Sequence, residues 1–186
     1  MKSLNIKTLL NSDNYQSSIE TILKKCNHKT QVGFALYCAK GLEQYYDFDK
    51  YPEVEVARSN CLELVANWLI DSSSVTKKAM DTAANAAAYA AANAANAAYA
   101  AAYAAYAAAY AAANAAANTA DNTAAYAADN AAYAAAYAAA NTAVDFNSTR
   151  QEHLKGLFYY LVKLHLTETD TSFKEETFNL LYLTRR

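Results

Sequence analysis

The chain has 186 residues, of which 54% are hydrophobic, and a formal net charge of −2. A charge this close to zero argues against a nucleic-acid binder that relies on a strong basic field, and against a strongly acidic DNA mimic. With three glycines and one proline, the chain has fewer turn-forming residues than a β-rich protein of this size needs, so the composition predicts an all-α fold.

We expect one all-α domain with three zones of different composition, at residues 1–78, 79–143 and 148–186. In the first zone, hydrophobic residues at helical spacing predict helices at residues 14–26, 32–46 and 52–70. Ser17 and Glu20 have the spacing of a capping box, but the pattern is also compatible with positions inside the helix rather than at its start. Pro52 suits the first position of a helix, because its missing N–H costs nothing there. Asp71–Ser74 ends the third helix and provides a cap for the next one.

The second zone is an alanine-rich tract that contains no Lys, Arg, Glu or His. Alanine is the best helix former, so a run this dense predicts helix. From Asn85 to Asn141, a Tyr or Asn recurs every three or four residues. Because this spacing returns to the same side of a helix, it predicts a stripe of Tyr and Asn side chains.

A single helix over the whole tract would be about 90 Å long at about 1.5 Å per residue, too long for a compact domain of this size. The tract should therefore break. Residues 118–123 are the best site, because their Asn, Thr and Asp side chains favour caps and turns. Residues 93–96 are a second candidate break. We expect an alanine-rich hairpin or three-helix core within a compact bundle of about seven to eight antiparallel helices.

The stripe of Tyr and Asn has two interpretations that the sequence leaves open. In the first it is structural, and the side chains fill the seam between helices or face water. In the second it lines a groove for a ligand or a protein partner, because rings stack on planar groups and amides pair with donors and acceptors. The predicted binding residues are Tyr99, Tyr103, Tyr106, Tyr110, Asn114, Tyr126, Asn130, Tyr133 and Tyr137.

The third zone returns to ordinary amphipathic sequence. Ser148 and Gln151 have capping-box spacing, and leucines at helical spacing predict a helix from there to about residue 166. Residues 167–171 are expected to form a loop. Ser172 and Glu175 then begin a short final helix.

The chain lacks the residue patterns of known reaction templates. It has no Gly-rich phosphate loop, zinc-protease motif or nucleophile elbow. Cys26 and His28 form a weak zinc signal, and we interpret them as a buried cysteine beside a surface histidine. His153 and His165 differ by about 120° around one helix and do not pair. We therefore predict no enzyme, no catalytic residue, no metal and no cofactor.

Several features indicate a cytoplasmic protein. The three cysteines are an odd, sparse set and a poor disulfide framework. Residues 1–7 lack the apolar run of a secretory signal. The asparagines of the tract would be costly in lipid, so we expect no membrane insertion. Five acidic residues cluster around residues 47–52, and we interpret them as a solvated acidic rim: Glu43, Asp47, Asp49, Glu53 and Glu55.

Part of the chain resembles the alanine-rich immunity protein family of bacteria and their phages. The matching features are Phe34-Ala35 with Cys38-Ala39, a loop closed by Pro52, and Cys61-Leu62 with Val65 and Trp68-Leu69, followed by the alanine tract. The resemblance covers roughly residues 32–143. Family members carry His and Arg along the stripe where this chain has Tyr and Asn. The resemblance implies neutralisation of a partner by binding, without catalysis.

Three functions are compatible with these features. In the first, the chain is a binding protein in bacterial or phage conflict that sequesters a protein toxin or defence effector, and it presents an exposed patch rich in aromatic residues. In the second, it is a small-molecule sponge that binds a nucleotide-like signal in a concave pocket lined by Tyr and Asn. In the third, it is a structural homo-oligomer held by alanine seams.

Overall fold

The structure is a computed structural model that describes residue 9 and residues 14–41, 52–92, 123–141 and 145–169. Every regular element in these residues is an α-helix, which confirms the predicted all-α class. The helices are α1 (Tyr15–Leu23), α2 (His28–Lys40), α3 (Pro52–Ile70), α4 (Lys77–Ala92), α5 (Thr123–Asn141) and α6 (Phe146–Thr169). The described residues thus hold six helices, fewer than the seven or eight predicted. The predictions for residues 93–122 and for the final helix lie outside them.

The first two helices begin at asparagine caps that the sequence analysis did not identify. Asn14 Oδ1 accepts a hydrogen bond from the backbone N–H of Ser17 at 3.1 Å. Ser17 therefore lies inside α1, which is the second of its two predicted positions, and it does not form a capping box with Glu20. Asn27 Oδ1 accepts from the backbone N–H three residues later at 2.9 Å, so α2 begins four residues before the predicted position. A short polar side chain that satisfies a free N–H fixes each start.

Helix α3 covers the predicted residues 52–70. Asp71 ends it with an Asx turn, in which Oδ1 accepts from the Ser73 backbone N–H at 2.9 Å. The next helix is capped by Thr76, whose Oγ1 accepts from the Ala79 backbone N–H at 3.2 Å. The expected cap within residues 71–74 is therefore wrong, because the Asp71 side chain serves the turn.

The last described helix also begins differently from the prediction. Asp145 Oδ1 accepts from the Ser148 backbone N–H at 3.1 Å, so Ser148 lies within α6 and its predicted capping box with Gln151 is wrong. The helix extends to Thr169, through the first half of the predicted loop 167–171. The connection from α5 to α6 is short, and α6 packs directly against α5.

Helix α5 lies at the centre of the bundle, where it packs against α1, α2 and α6. Helices α3 and α4 pair with each other, and α3 also meets α2. One cluster of buried apolar residues draws on all six helices. Apart from Met80 at the start of the tract, its large members come from outside the tract, as expected for a core in which alanine buries little area. The large members include Phe34, Phe158, Ile19, Ile22, Leu23, Met80, Leu154 and Leu161.

The alanines of α5 explain how one helix can have so many neighbours. All of its alanines are buried, none of them more than 4% exposed. Methyl side chains let neighbouring backbones approach closely and fill the seams without voids. Helix α5 begins at Thr123, the last residue of the predicted break at 118–123. Among the described helices, none is both long and apolar enough to cross a membrane.

Candidate binding face

Helix α5 holds four of the predicted binding residues. Tyr126, Tyr133 and Tyr137 are 48%, 37% and 40% exposed, and Asn130 is exposed between them. Their spacing of four, three and four residues places all of them on one side of the helix. We call these four residues the tyrosine face. The other predicted binding residues, Tyr99, Tyr103, Tyr106, Tyr110 and Asn114, lie outside the described residues.

The burial of the alanines determines which way the tyrosines point. Helices α1, α2 and α6 approach α5 closely on its alanine sides, where a ring would not fit. The tyrosines therefore occupy the one side that the described helices leave open. In this half of the stripe the rings face water and do not fill a seam between described helices.

Cations and neighbouring rings hold the tyrosine face in place. Lys24 Nζ lies 4.6 Å from the centroid of the Tyr126 ring, and the Arg150 guanidinium lies 5.3 Å from that of Tyr133. The Tyr133 and Tyr137 rings stack with centroids 6.4 Å apart and planes 27° apart. Cation–π contacts and offset stacking restrict ring motion, so the rings are ordered before any partner arrives.

Charges of both signs border the tyrosine face. Lys24 Nζ donates to Glu20 Oε1 at 2.5 Å. This hydrogen bond, followed by a smaller effect of the hydrogen bond with Tyr126, raises the pKa of Lys24. Burial raises the pKa of Asp129 to about 6, with a further rise from Glu20 and an opposing effect of Lys24. Asp129 Oδ1 is buried and has no hydrogen-bond partner among the described residues. This carboxylate is the least well accommodated charge beside the face.

A groove of about 710 Å³ lies elsewhere, between α3 and α4. Its described lining includes Asn60, Asn67, Leu64 and Thr82 but no tyrosine. The tyrosine face is a row on the outer side of a helix and does not line this groove. This groove is therefore not the Tyr- and Asn-lined pocket that the small-molecule hypothesis requires.

The other candidate residues are the possible metal ligands and the acidic rim. No three His, Cys, Asp or Glu side chains within the described ranges are grouped so as to hold a metal ion. Glu55 of the acidic rim contacts Arg58 Nε at 3.1 Å, whereas Glu43, Asp47 and Asp49 lie outside the described residues. Burial lowers the pKa of half-buried His153.

One pair was missed by the sequence analysis. Cys26 Sγ lies 3.5 Å from His165 Nδ1. The two residues are 139 positions apart, and only the crossing of α6 over the end of α1 brings them together. His28 is only two positions from the cysteine in sequence, but the thiol contacts His165.

No family model, no curated protein and no solved structure matches the chain. Most residues that carry its resemblance to the alanine-rich immunity proteins belong to the core. Pro52 is exposed and Leu69 is partly buried, whereas the buried ones are Phe34, Ala35, Cys38, Ala39, Cys61, Leu62, Val65 and Trp68. The buried residues describe helix packing. The exposed tyrosine face does not belong to this pattern.

Proposed function

We propose that this chain is a non-catalytic binding protein that neutralises a partner protein, a toxin or a defence effector, by holding it on the tyrosine face. The observation that supports this proposal is the row of three exposed rings on a helix whose alanines are all buried. Tyrosine is enriched among residues that dominate protein interfaces, because a large apolar body and a hydroxyl come with few rotatable bonds.

The shape of the face favours a protein over a small molecule. From Tyr126 to Tyr137 the row extends about 17 Å at about 1.5 Å per residue. Pockets for small molecules are concave and bury most of the ligand, whereas these rings project from the outer side of α5. A row of this kind contacts a surface or a helix of a partner.

The size and charge of the face define the partner's chemistry. A stable interface buries about 800 Å² on each partner, more than four side chains provide, so the tyrosine face would form the centre and the neighbouring α1 and α6 the rim. The rim carries Lys24 and Arg150 beside Glu20 and Asp129. A matching partner presents an apolar or aromatic centre surrounded by charges of both signs, not a uniformly acidic surface.

The test uses the whole chain and native mass spectrometry. The purified protein is incubated with extract from bacteria that do or do not carry phage-defence systems, and the bound species is identified. The captured protein is then purified and titrated against the variants Tyr133→Ala and Tyr137→Ala. Each variant should weaken binding about 30-fold, which corresponds to about 2 kcal/mol for a dominant interface residue.

The matched control is Tyr37→Ala. Tyr37 is 46% exposed but lies on α2 and stacks on Tyr160, so its loss should leave affinity within about twofold, as for a residue outside the contact. Equal losses for all three variants would overturn the proposal. A small molecule released on denaturation would overturn it in favour of the sponge, and a concentration-dependent mass without a foreign protein would overturn it in favour of self-assembly.

A further inference from the structure

Cys26 and His165 form a thiol–imidazole pair that is not part of the tyrosine face. Cys26 follows the end of α1, and His165 lies on α6. Their Sγ and Nδ1 atoms are 3.5 Å apart, within hydrogen-bonding reach for sulfur. Cys26 is 8% exposed and His165 is 7% exposed.

The backbone at Cys26 is fixed on both sides. Its N–H donates to the Ile22 and Leu23 carbonyls at 3.2 and 3.1 Å. Gln31 Nε2 donates to the Cys26 carbonyl at 3.2 Å and to the Leu23 carbonyl at 2.8 Å. These bonds hold the turn between α1 and α2, so the thiol keeps its position against the imidazole.

Cys26 also borders solvent. It lines a shallow depression of about 520 Å³ together with Asn27, His28 and Lys29. Positive charge near a thiol favours the thiolate, and Lys29 supplies a positive charge in the same depression. A small reagent held in the depression would contact Cys26, which is 8% exposed.

The two other cysteines provide a contrast within the same molecule. Cys38 and Cys61 are 1% and 0% exposed. Burial raises the pKa of Cys61 to about 12 and that of Cys38 well above its ordinary value. Buried apolar thiols of this kind are inert.

We propose that Cys26 is a reactive thiol that forms mixed disulfides with small disulfide compounds, with His165 as the base that accepts its proton. With the ring hydrogen on Nε2, Nδ1 takes the thiol proton. The thiolate sulfur then attacks one sulfur of the incoming disulfide, a new S–S bond forms to Cys26, and the original S–S bond breaks. The leaving thiolate takes up a proton, and no electrons are needed from elsewhere.

The test measures modification of each cysteine in the folded, full-length protein. Oxidised glutathione is added at neutral pH, the reaction is stopped by acid, and peptide mass spectrometry gives the extent of glutathionylation at Cys26, Cys38 and Cys61. A parallel series uses iodoacetamide. Three units above the ordinary value of 9.0, Cys61 has a thiolate fraction about 10³-fold below that of an ordinary thiol. A thiolate of higher pKa is intrinsically more nucleophilic, which offsets part of this difference for Cys61. Cys26 should still react at least about tenfold faster than Cys61.

Two variants test whether His165 acts as a base or only as a structural contact. His165→Asn keeps a hydrogen-bonding group near the position of Nδ1 but cannot take up the proton, and it should slow Cys26 by about 10²-fold, the lower end of what a positioned base contributes. His28→Gln is the matched control, because His28 lines the same depression without pairing with Cys26, and it should leave the rate within about twofold of the parent value.

Two results would overturn the proposal. One is modification of Cys26 in the parent protein at the same rate as Cys38 and Cys61, a comparison that needs no variant. The other is a folded His165→Asn protein, verified by circular dichroism, in which Cys26 reacts at the parent rate.

Discussion

Replacement of Asp129 by Asn should stabilise the protein at pH 8. Asp129 lies on α5 beside the tyrosine face, and its Oδ1 is buried without a hydrogen-bond partner among the described residues. Burial raises the pKa of the carboxyl from 3.8 to about 6, which means that the folded protein disfavours the charged form. Asn has the same shape and no charge, so the variant removes this penalty.

The magnitude follows from the shift. A rise from 3.8 to about 6 corresponds to about 3 kcal/mol at about 1.4 kcal/mol per unit. The side chain is only partly buried, and solvent screening reduces the effect to about 1–2 kcal/mol. For a chain of this length, the melting temperature of Asp129→Asn should rise by about 2–8 °C.

The pH dependence has a defined sign. Because the folded form binds the Asp129 proton more tightly than the unfolded form, the parent protein loses stability through this group as pH rises from 3.8 to about 6. The advantage of Asp129→Asn should therefore be complete at pH 8 and should largely disappear at pH 4. Urea unfolding at both pH values, followed by circular dichroism, measures it.

Asp145→Asn is the control for a carboxylate with the opposite shift. Asp145 caps α6, and its bonds to the Ser148 backbone and side chain lower its pKa. Asn also caps helices well, so this variant should be neutral or slightly destabilising at pH 8. An Asp129→Asn protein that is no more stable than the parent at pH 8 would refute the predicted charge penalty at Asp129. A gain in stability that persists undiminished at pH 4 would refute it as well.

Three further predictions concern the core and the caps. Phe158→Ala should destabilise the protein by about 3–5 kcal/mol in urea unfolding, because Phe158 is fully buried and packs on Tyr15 and Tyr159. A loss of stability below about 1 kcal/mol would contradict the placement of α6. Ala132→Leu should cost about 1–3 kcal/mol or more in the same assay, since Ala132 is 0% exposed, whereas Asn130→Leu on the open side should cost little. Asn27→Ala should cost about 1 kcal/mol through loss of the α2 cap, and an unchanged melting temperature would argue against that cap.

The sequence predicted best where a single physical signal dominated. Alanine density predicted the helix around α5, and the Tyr–Asn spacing predicted that Tyr126, Tyr133 and Tyr137 share one side. Pro52 marked the start of α3 correctly. The caps were harder, because polar residues are frequent before α1 and α6 and each can bond to the backbone. Asn14 rather than Ser17 caps α1, and Asp145 rather than Ser148 caps α6. The backbone geometry that determines the capping residue cannot be read from the sequence pattern.

The sequence could not predict whether the stripe faces a seam or an open side, nor could it predict the Cys26–His165 contact. Both depend on which helices pack against which. A row of tyrosines at helical spacing is compatible with a seam or with an open face, and only the positions of α1, α2 and α6 around α5 decide between them. The Cys26–His165 pair likewise exists because α6 passes the end of α1, 139 residues away in sequence.

The side of α5 that the described helices leave open has a composition that neither packing among those helices nor solubility explains. Packing requires alanine on the sides facing α1, α2 and α6, and α5 has it. On a side facing water, Lys or Glu would form helix equally well and keep the surface hydrated, yet this side carries Tyr126, Tyr133 and Tyr137, and the tract contains no Lys or Glu at all. Exposed rings add apolar surface without adding core, and the partly buried charge of Asp129 beside them is predicted to reduce stability. Contact with the proposed partner would account for both features, because in such a complex the rings would become buried and the charges at the rim would gain counterparts.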